Sequence, residues 1–479
     1  MLASFPPFLL PNSIDIHHYM NGYFDKSSEN IEQMTKSSQD FNYSREEQTD
    51  TVLVSEIENF LYNSNQYTDS LVNLFHSHEI NNPYLLTLKL SQNGFYQKVI
   101  EMIMNNRILL QSLTLFCYSI HLEKTIFIHL IPQSIIKHLF ELLLSNSEYT
   151  DLILISIGIL AECSIQYDVT SPRTFPFTRD IVNHGFHQLV EIARTNTTFS
   201  CKATINIAKL IKYQSLNEKQ LEIVLNLINE KIVSCTEFGF FEIHRLLEAY
   251  LKYIQKQSNM EEETMHLSIL TNESASTICK LLISENVETK RWPGYAITSL
   301  CEFSSFEAEK LYNSNLLDCF ALTGKNEIDN ILLTAMMQFI LSVENALNRF
   351  CGHQIFSLII CLFEAGTFSE CSRAALIISA LMSRCENEGD MNKLISCFNC
   401  DFVDIFENVI SCNDGVTLKI MMINFVKATE KAINIQDPEL IQHLLSSNFM
   451  DTIQNIVDHP REDISINVEK LLCILDDFL

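Results

Sequence analysis

Two apolar segments, DLILISIGILAECSI (Asp151 to Ile165) and KATINIAKLIKY (Lys202 to Tyr213), constrain this sequence most, because they carry alanines at matching points, Ala161 and Ala208. Between them lie a proline-containing loop, SPRTFPFTRD (Ser171 to Asp180), and an amphipathic segment, IVNHGFHQLVEIART (Ile181 to Thr195). A helix that is apolar nearly all round must be covered on most sides, whereas one with a polar stripe needs cover on one side only. Their alternation is the pattern of helices stacked in layers, with one helix per layer held between its neighbours. Extending the register both ways finds further apolar centres at Phe116, Ala249, Leu300, Phe339, Ala380, Phe425 and Ile474. Successive centres lie 39 to 51 residues apart, against roughly 40 to 47 for helical repeats of two or three helices. Most follow an amphipathic segment with a short polar end, as in IIKHLFELLLSNSEYTD (Ile135 to Asp151) and KQLEIVLNLINEKIV (Lys219 to Val233). The expected fold is an all-α solenoid; the alternative is an irregular single-layer helical bundle.

Composition agrees with helices throughout. Only 11 glycines and 10 prolines occur in 479 residues, so turns needing positive φ and breaks in helices are few. Hydrophobic residues make up 47% and charged residues 19%, as in a globular chain rather than a disordered one. A solenoid of this length is one continuous domain, since each layer buries its faces against the next. No stretch approaches about eighteen uninterrupted apolar residues, so no transmembrane span is expected. The opening MLASFPPFLLPNSI lacks a basic start and is broken by Pro6, Pro7 and Pro11, which does not suit a signal peptide. Fifteen cysteines, mostly within apolar helical stretches, read as small core residues in a reducing, intracellular compartment. The cytoplasm is expected, and the nucleus is compatible.

Along the chain, residues 1–50 read as a flexible arm: after the proline-broken apolar start, Tyr23 to Asp50 is polar, rich in Ser, Gln and Asn, and without a lasting period. Residues 51–81 hold two amphipathic segments, VLVSEIENFLY and YTDSLVNLFHS, expected as capping helices of a repeat domain spanning 51–479. From Asn82 to Ile120 the pattern gives three short helices, with breaks at Gly94 and at Asn105–Asn106. The third of these (ILLQSLTLFCYS), LLTAMMQFILSV (Leu332 to Val343) and SRAALIISALMSRC (Ser372 to Cys385) resemble the third helices of armadillo repeats. The similarity runs from about Asn82 to Leu479, in pattern rather than identity, and takes in the related HEAT repeats. It implies a right-handed superhelical solenoid of armadillo-like repeats whose third helices line a groove. It further implies binding of extended peptides or protein partners there, without a catalytic centre or cofactor.

One branch of that superfamily, the nuclear-import adaptors, uses a ladder of Trp and Asn four residues apart on successive third helices. Here the Asn position holds Cys117, Glu162, Lys209, Tyr250, Cys301, Ile340, Leu381 and Val426, and the Trp position holds Leu113, Gly158, Ile205, Leu246, Ile297, Met336, Ile377 and Met422. The ladder is missing, which argues against a receptor for basic localisation signals.

No catalytic motif stands out: HExxH, GxSxG, a glycine-rich phosphate loop and a Rossmann fingerprint are all absent from the sequence. Cys385, Cys397, Cys400 and Cys412 have metal-like spacing, yet zinc needs four sulfurs converging at about 2.3 Å, and the intervening FNCDFVDIF reads as a helix with core thiols. His184 and His187 share one helical side with nothing nearby to complete a ligand set. His76 and His78 end a capping segment. Trp292, the sole tryptophan, lies in KRWPGYAITSL with Tyr295, and Pro293 reads as punctuation at the helix start. Trp292 either caps a layer or anchors a partner.

The formal net charge of −26 argues against binding nucleic-acid backbone or anionic membrane; only Lys202, Lys209 and Lys212 suggest a basic stripe. A basic protein partner is compatible with that sign. The expected function is a non-enzymatic protein-interaction scaffold or adaptor, using the groove or the long loops. Its alternatives are a structural or regulatory subunit of an obligate complex and, more remotely, an enzyme with an unrecognised site. Candidate contact residues are Trp292, Tyr295, Glu162, Lys209 and Tyr250, with Glu261, Glu262 and Glu263 in the loop from Gln257 to Ser274. No metal or cofactor is expected.

Overall fold

In a computed structural model of the chain the described residues are 60, 90–122, 131–145, 147–163, 175–195, 198–213, 216–235, 240–258, 268–284, 287–324, 330–385, 387, 390–395, 415–435, 445, 447–457 and 459–476. They fall in two compact units, Met1–Phe95 and Tyr96–Leu479. In the first, the buried ring of Phe60 lies 5.4 Å from that of Phe95. The proposed arm and most of the capping pair lie outside the described residues.

All regular structure among the described residues is helical. The early helices are α1 (Phe95–Met104), α2 (Leu109–Leu122), α3 (Ser134–Ser145), α4 (Thr150–Glu162), α5 (Thr178–Arg194), α6 (Thr198–Lys212) and α7 (Glu218–Val233). Next come α8 (Phe240–Ser258), α9 (Asn272–Leu281), α10 (Val287–Phe303), α11 (Ser305–Asn313), α12 (Leu316–Gly324), α13 (Asn330–Ser342) and α14 (Ala346–Cys351). The last are α15 (Gln354–Ala365), α16 (Phe368–Met382), α17 (Asp390–Ile395), α18 (Gly415–Ile435), α19 (Ser447–Gln454) and α20 (Glu462–Asp476).

The second unit is built as two rows. Helices α2, α4, α6, α8, α10, α13, α16, α18 and α20 each pack on the next in that series, and each contains one of the nine apolar centres. Phe116, Ala161, Ala208, Leu300, Phe339, Ala380 and Phe425 are buried, while Ala249 and Ile474 are part-exposed. Helices α3, α5, α7, α9, α12 and α15 form the second row in the same manner. Within it, α3, α5, α7, α9 and α15 each back onto the first-row helix that follows. Where α11 and α14 are added beside the rows, a repeat has three helices instead of two. Packing is between sequence neighbours throughout, so the fold is an all-α stack of helical repeats.

Local chemistry explains where the helices start and turn. At α7, Asn217 accepts from Gln220 N at 3.0 Å while the Gln220 side chain accepts from Asn217 N at 3.0 Å, a reciprocal cap. Thr271 caps α9 and Ser304 caps α11 in the simpler way. Gly94 (φ 73°) breaks the chain before α1, and Asn106 (φ 54°), Asn315 (φ 65°) and Asn345 (φ 50°) turn it before α2, α12 and α14. Asparagine tolerates the left-handed region better than bulkier residues. Both breaks expected between Asn82 and Ile120 are therefore present. One expectation is corrected. Pro293 is not at a helix start, because α10 begins six residues earlier, at Val287. The ring removes one main-chain donor from the middle of α10, and the helix continues through it to Phe303.

The first row is tied by polar groups as well as by packing. The Asn206 side chain, 4% exposed, donates to the Leu154 carbonyl at 2.8 Å. Ser342 donates to the Cys301 carbonyl at 2.7 Å, Arg384 to the Val343 carbonyl at 2.9 Å, and Asn424 to Ser379 Oγ at 3.1 Å. These bonds join α4 to α6, α10 to α13, α13 to α16 and α16 to α18. A buried amide left without a partner would be costly, so each bond also fixes the sliding register of two helices.

Glycine sets the closest approaches. A Cβ on Gly185 of α5 would lie 2.0 Å from the Phe140 ring of α3, so that ring rests directly on the α5 backbone. Elsewhere a buried carboxylate acts as a clasp: Glu307, 0% exposed, accepts from Ile269 N at 2.8 Å and Leu270 N at 3.2 Å, with Lys310 Nζ at 3.0 Å. It binds the segment before α9 to α11.

Two stability outcomes follow. Gly185→Ala should lower stability by about 1–3 kcal/mol despite the better helix propensity of alanine, and Phe140→Leu should restore part of the loss. Glu307→Ala leaves the Ile269 and Leu270 amides without their acceptor, while Lys310 keeps Ser268 and the Leu270 carbonyl, so about 2–5 kcal/mol should be lost. Urea denaturation followed by far-UV circular dichroism checks both; unchanged midpoints would contradict the packing described.

Candidate functional aromatic site

Helix α8 carries Phe241, His244, Arg245, Glu248 and Lys252 at spacings that place them along neighbouring turns. Helix α10 carries Trp292 and Tyr295 one turn apart. Because α8 and α10 are adjacent in the first row, their rings meet. Phe241 and Trp292 lie edge to face with centroids 4.6 Å apart, and Trp292 and Tyr295 are 5.6 Å apart. The His244 ring is 5.7 Å from both Trp292 and Tyr295. Such spacings suit favourable aromatic contact. Tyr295 is 42% exposed, Arg245 is exposed, and Phe241 and Trp292 are part-exposed. The cluster is therefore partly open at the surface of α8 and α10.

His244 is the unusual member. It is 7% exposed, and neither ring nitrogen has a hydrogen-bond partner. Burial pushes its pKa down to about 4; Glu248 opposes the shift, while Arg245 and Lys252 reinforce it. The imidazole is thus neutral at ordinary pH, with one donor and one acceptor nitrogen. The Arg245 guanidinium stands 5.8 Å over the Phe241 ring and, with no ion pair among the described residues, feels the Glu248 charge one turn along the helix. Lys252, by contrast, is paired with Glu248 at 2.5 Å.

The structure brings together two of the residues singled out in the sequence, Trp292 and Tyr295. Glu162 and Lys209 also meet, but each other: their ion pair is 2.8 Å long, and Lys209 also donates to the Gly158 carbonyl at 3.2 Å. Gly158 lacks the Cβ that would sit 2.4 Å from Asn206 Oδ1 and 3.2 Å from Lys209 Nζ. Tyr250 is 3% exposed and packs inside. Glu261, Glu262 and Glu263 lie outside the described residues. Phe241, His244 and Arg245 were not singled out, although FFEIHR is an aromatic and a basic residue one turn apart in the preceding first-row helix.

Cys385 is buried, and Cys397, Cys400 and Cys412 lie outside the described residues. His184 and His187 are both exposed on α5. Among the described residues no group of three or more His, Cys, Asp or Glu is arranged to hold a metal ion. Burial pushes the Cys117 and Cys201 thiols up to about 11 and those of Cys279 and Cys301 in the same direction, which disfavours the reactive thiolate. A shallow recess of about 590 Å³ between α11, α12, α14 and α15 is polar, and its charges are paired internally: Arg349 with Glu309 at 2.7 Å, and His353 with Asp318 at 3.0 Å. No described helix is long and apolar enough to cross a membrane.

No protein-family model matches the sequence, and no curated protein matches it. Solved structures are similar in fold. A crystallised engineered protein from a structural-genomics consortium has a TM-score of 0.58 at 10% identity, over 88% of this chain and 98% of that one. At that identity the likeness concerns the fold alone. A designed armadillo repeat protein in complex with the peptide (KR)4 has a TM-score of 0.36 at 14% identity, over 56% of this chain and 99% of that one. Another designed armadillo repeat protein has 0.36 at 13%, over 60% and 98%. The resemblance to these two is distant and partial.

The state of His244 has a measurable consequence. Its pKa is depressed in the folded chain, so the unfolded chain binds the proton first as pH falls. The stability linked to neutral His244 is complete above about 6.5 and is lost as pH drops toward about 4. In urea titrations across that window, His244→Phe should flatten the pH dependence by up to about 3 kcal/mol. Equal slopes for both proteins would show that folding does not depress the His244 pKa.

Proposed function

We propose that this chain is a non-enzymatic protein-interaction scaffold that binds a partner through the uncovered face of the first row, anchored at Phe241, His244, Trp292 and Tyr295. The observation that carries this is the cluster of four rings on two adjacent helices, with Tyr295 42% exposed. Rigid aromatic side chains lose little rotamer freedom on binding and dominate many interfaces. A stack whose helices lock to their neighbours offers such groups without rearrangement. The loop containing Glu261, Glu262 and Glu263 is a second place for contact. Free cysteines such as Cys279, Cys301 and Cys319 support action in a reducing compartment, the cytoplasm or nucleus.

A second reading is a subunit of an obligate complex. It is favoured by α20, where Ile466 is 55% exposed and Cys473 is also exposed. Light scattering of the purified chain separates it from a free monomeric scaffold.

Affinity capture with the full chain should recover a stoichiometric partner, and the pair of changes Trp292→Ala and Tyr295→Ala should weaken that partner at least about tenfold. Circular dichroism confirms that the variant is folded. Undiminished capture by the folded variant would move the binding surface elsewhere, and failure to recover any partner would count against the scaffold itself.

A further inference from the structure

Helix α20 packs on α18, and its buried side chains, Ile464, Val468, Leu471 and Leu475, follow the spacing of a single helical face. The opposite side of the helix is exposed and equally regular. Glu462, Ile466, Glu469, Cys473 and Asp476 succeed one another there at alternating steps of four and three residues, the spacing of a straight seam on a helix. Along that seam carboxylates alternate with apolar side chains, and Ile466 is 55% exposed between two of the acids.

Nearby cations are taken up within the chain. Lys470 pairs with Glu430 of α18 at 2.8 Å, Lys419 of α18 with Asp463 at 2.9 Å, and Arg461 with Asp463 at 2.8 Å. Glu462, Glu469 and Asp476 have no cation partner among the described residues. The helix dipole accounts for Glu462 at the start of α20, but it disfavours a carboxylate at the other end, where Asp476 stands.

We propose that this seam docks an amphipathic helix of a partner protein, one that presents Lys or Arg in alternation with apolar residues at the same spacing. This goes beyond the scaffold function above, since it adds a surface on a helix that takes no part in the aromatic site. Seven residues of helix rise about 10.5 Å, so cations seven apart on a partner helix fall in step with Glu462, Glu469 and Asp476. Its intervening apolar residues then cover Ile466 and Cys473, removing their surface from water. Ion pairs formed at contact distance lie inside the screening length of about 8 Å. A second copy of this chain suits the seam badly: two-fold pairing would set Glu469 against Glu469 and Glu462 against Asp476. Nucleic acid and anionic membrane meet the same repulsion.

The probe is a phage-displayed library of alanine-based helices of about 20 residues, long enough to hold their fold in water, randomised along one face and selected on the full chain. Enriched helices are synthesised and titrated calorimetrically. They should carry Lys or Arg seven residues apart with apolar residues between. The triple variant Glu462→Lys, Glu469→Lys, Asp476→Lys should weaken them at least about tenfold, and so should Ile466→Asp, with circular dichroism confirming each fold. Should the triple variant not fold, Glu469→Lys alone carries the test, with a loss of about threefold or more. The paired changes Trp292→Ala and Tyr295→Ala should leave binding unchanged, and light scattering of the parent should show a monomer. Enriched helices that are neutral or acidic, that bind the charge-reversed protein equally, or that depend on Trp292 and Tyr295 would overturn the proposal and leave the scaffold function standing. A dimer that Ile466→Asp disperses would overturn it in favour of a second copy. Failure of any helix to enrich would overturn it as well, while affinity capture through the aromatic site decides the scaffold function separately.

Discussion

Everything in the second unit depends on side-by-side contact between helices that are separated by some four dozen residues of sequence. The first-row helices from α4 to α18 are covered on two flanks by their predecessor and successor, and α4, α6, α8, α10 and α16 also from behind by a second-row helix. Three covered sides explain why DLILISIGIL can be apolar around nearly its whole circumference without exposing a greasy surface. The same arrangement makes stability local. A layer is held by its neighbours, so helical geometry and register must be right at each step rather than across one closed core.

Register is where polar groups enter. Apolar surfaces alone tolerate sliding, because hydrophobic burial has no direction. A buried amide such as Asn206 or Asn424 reaches a particular oxygen on the preceding helix and no other. Helical glycines complement this by allowing the close approach. Gly158 leaves room for Asn206 and Lys209, and Gly185 leaves room for the Phe140 ring. These amides are turned inward, where they hold neighbouring helices together.

The aromatic site exists because two such helices are neighbours. His244 tolerates burial as a neutral ring, and its company of Phe241, Trp292 and Tyr295 excludes water from it. Net charge describes solubility and long-range repulsion, while recognition at contact depends on the few charges within a screening length.

The sequence by itself determined the class of fold and the identity of the first-row helices. A period of about four dozen residues in apolar centres is a local pattern, and in a stack of repeats the contacts follow that pattern directly. It also determined that Trp292 and Tyr295 lie on one helical side. Only the tertiary structure decided that Phe241 and His244 join them, since those residues are some fifty positions away and meet through lateral packing. It likewise decided that Glu162 and Lys209 neutralise one another, that Tyr250 is inside, and that Pro293 lies within a helix rather than at its start. Spacing along a chain fixes which face of a helix a residue occupies; what stands opposite that face is fixed by how neighbouring helices are rotated and offset, which one-dimensional periodicity does not encode.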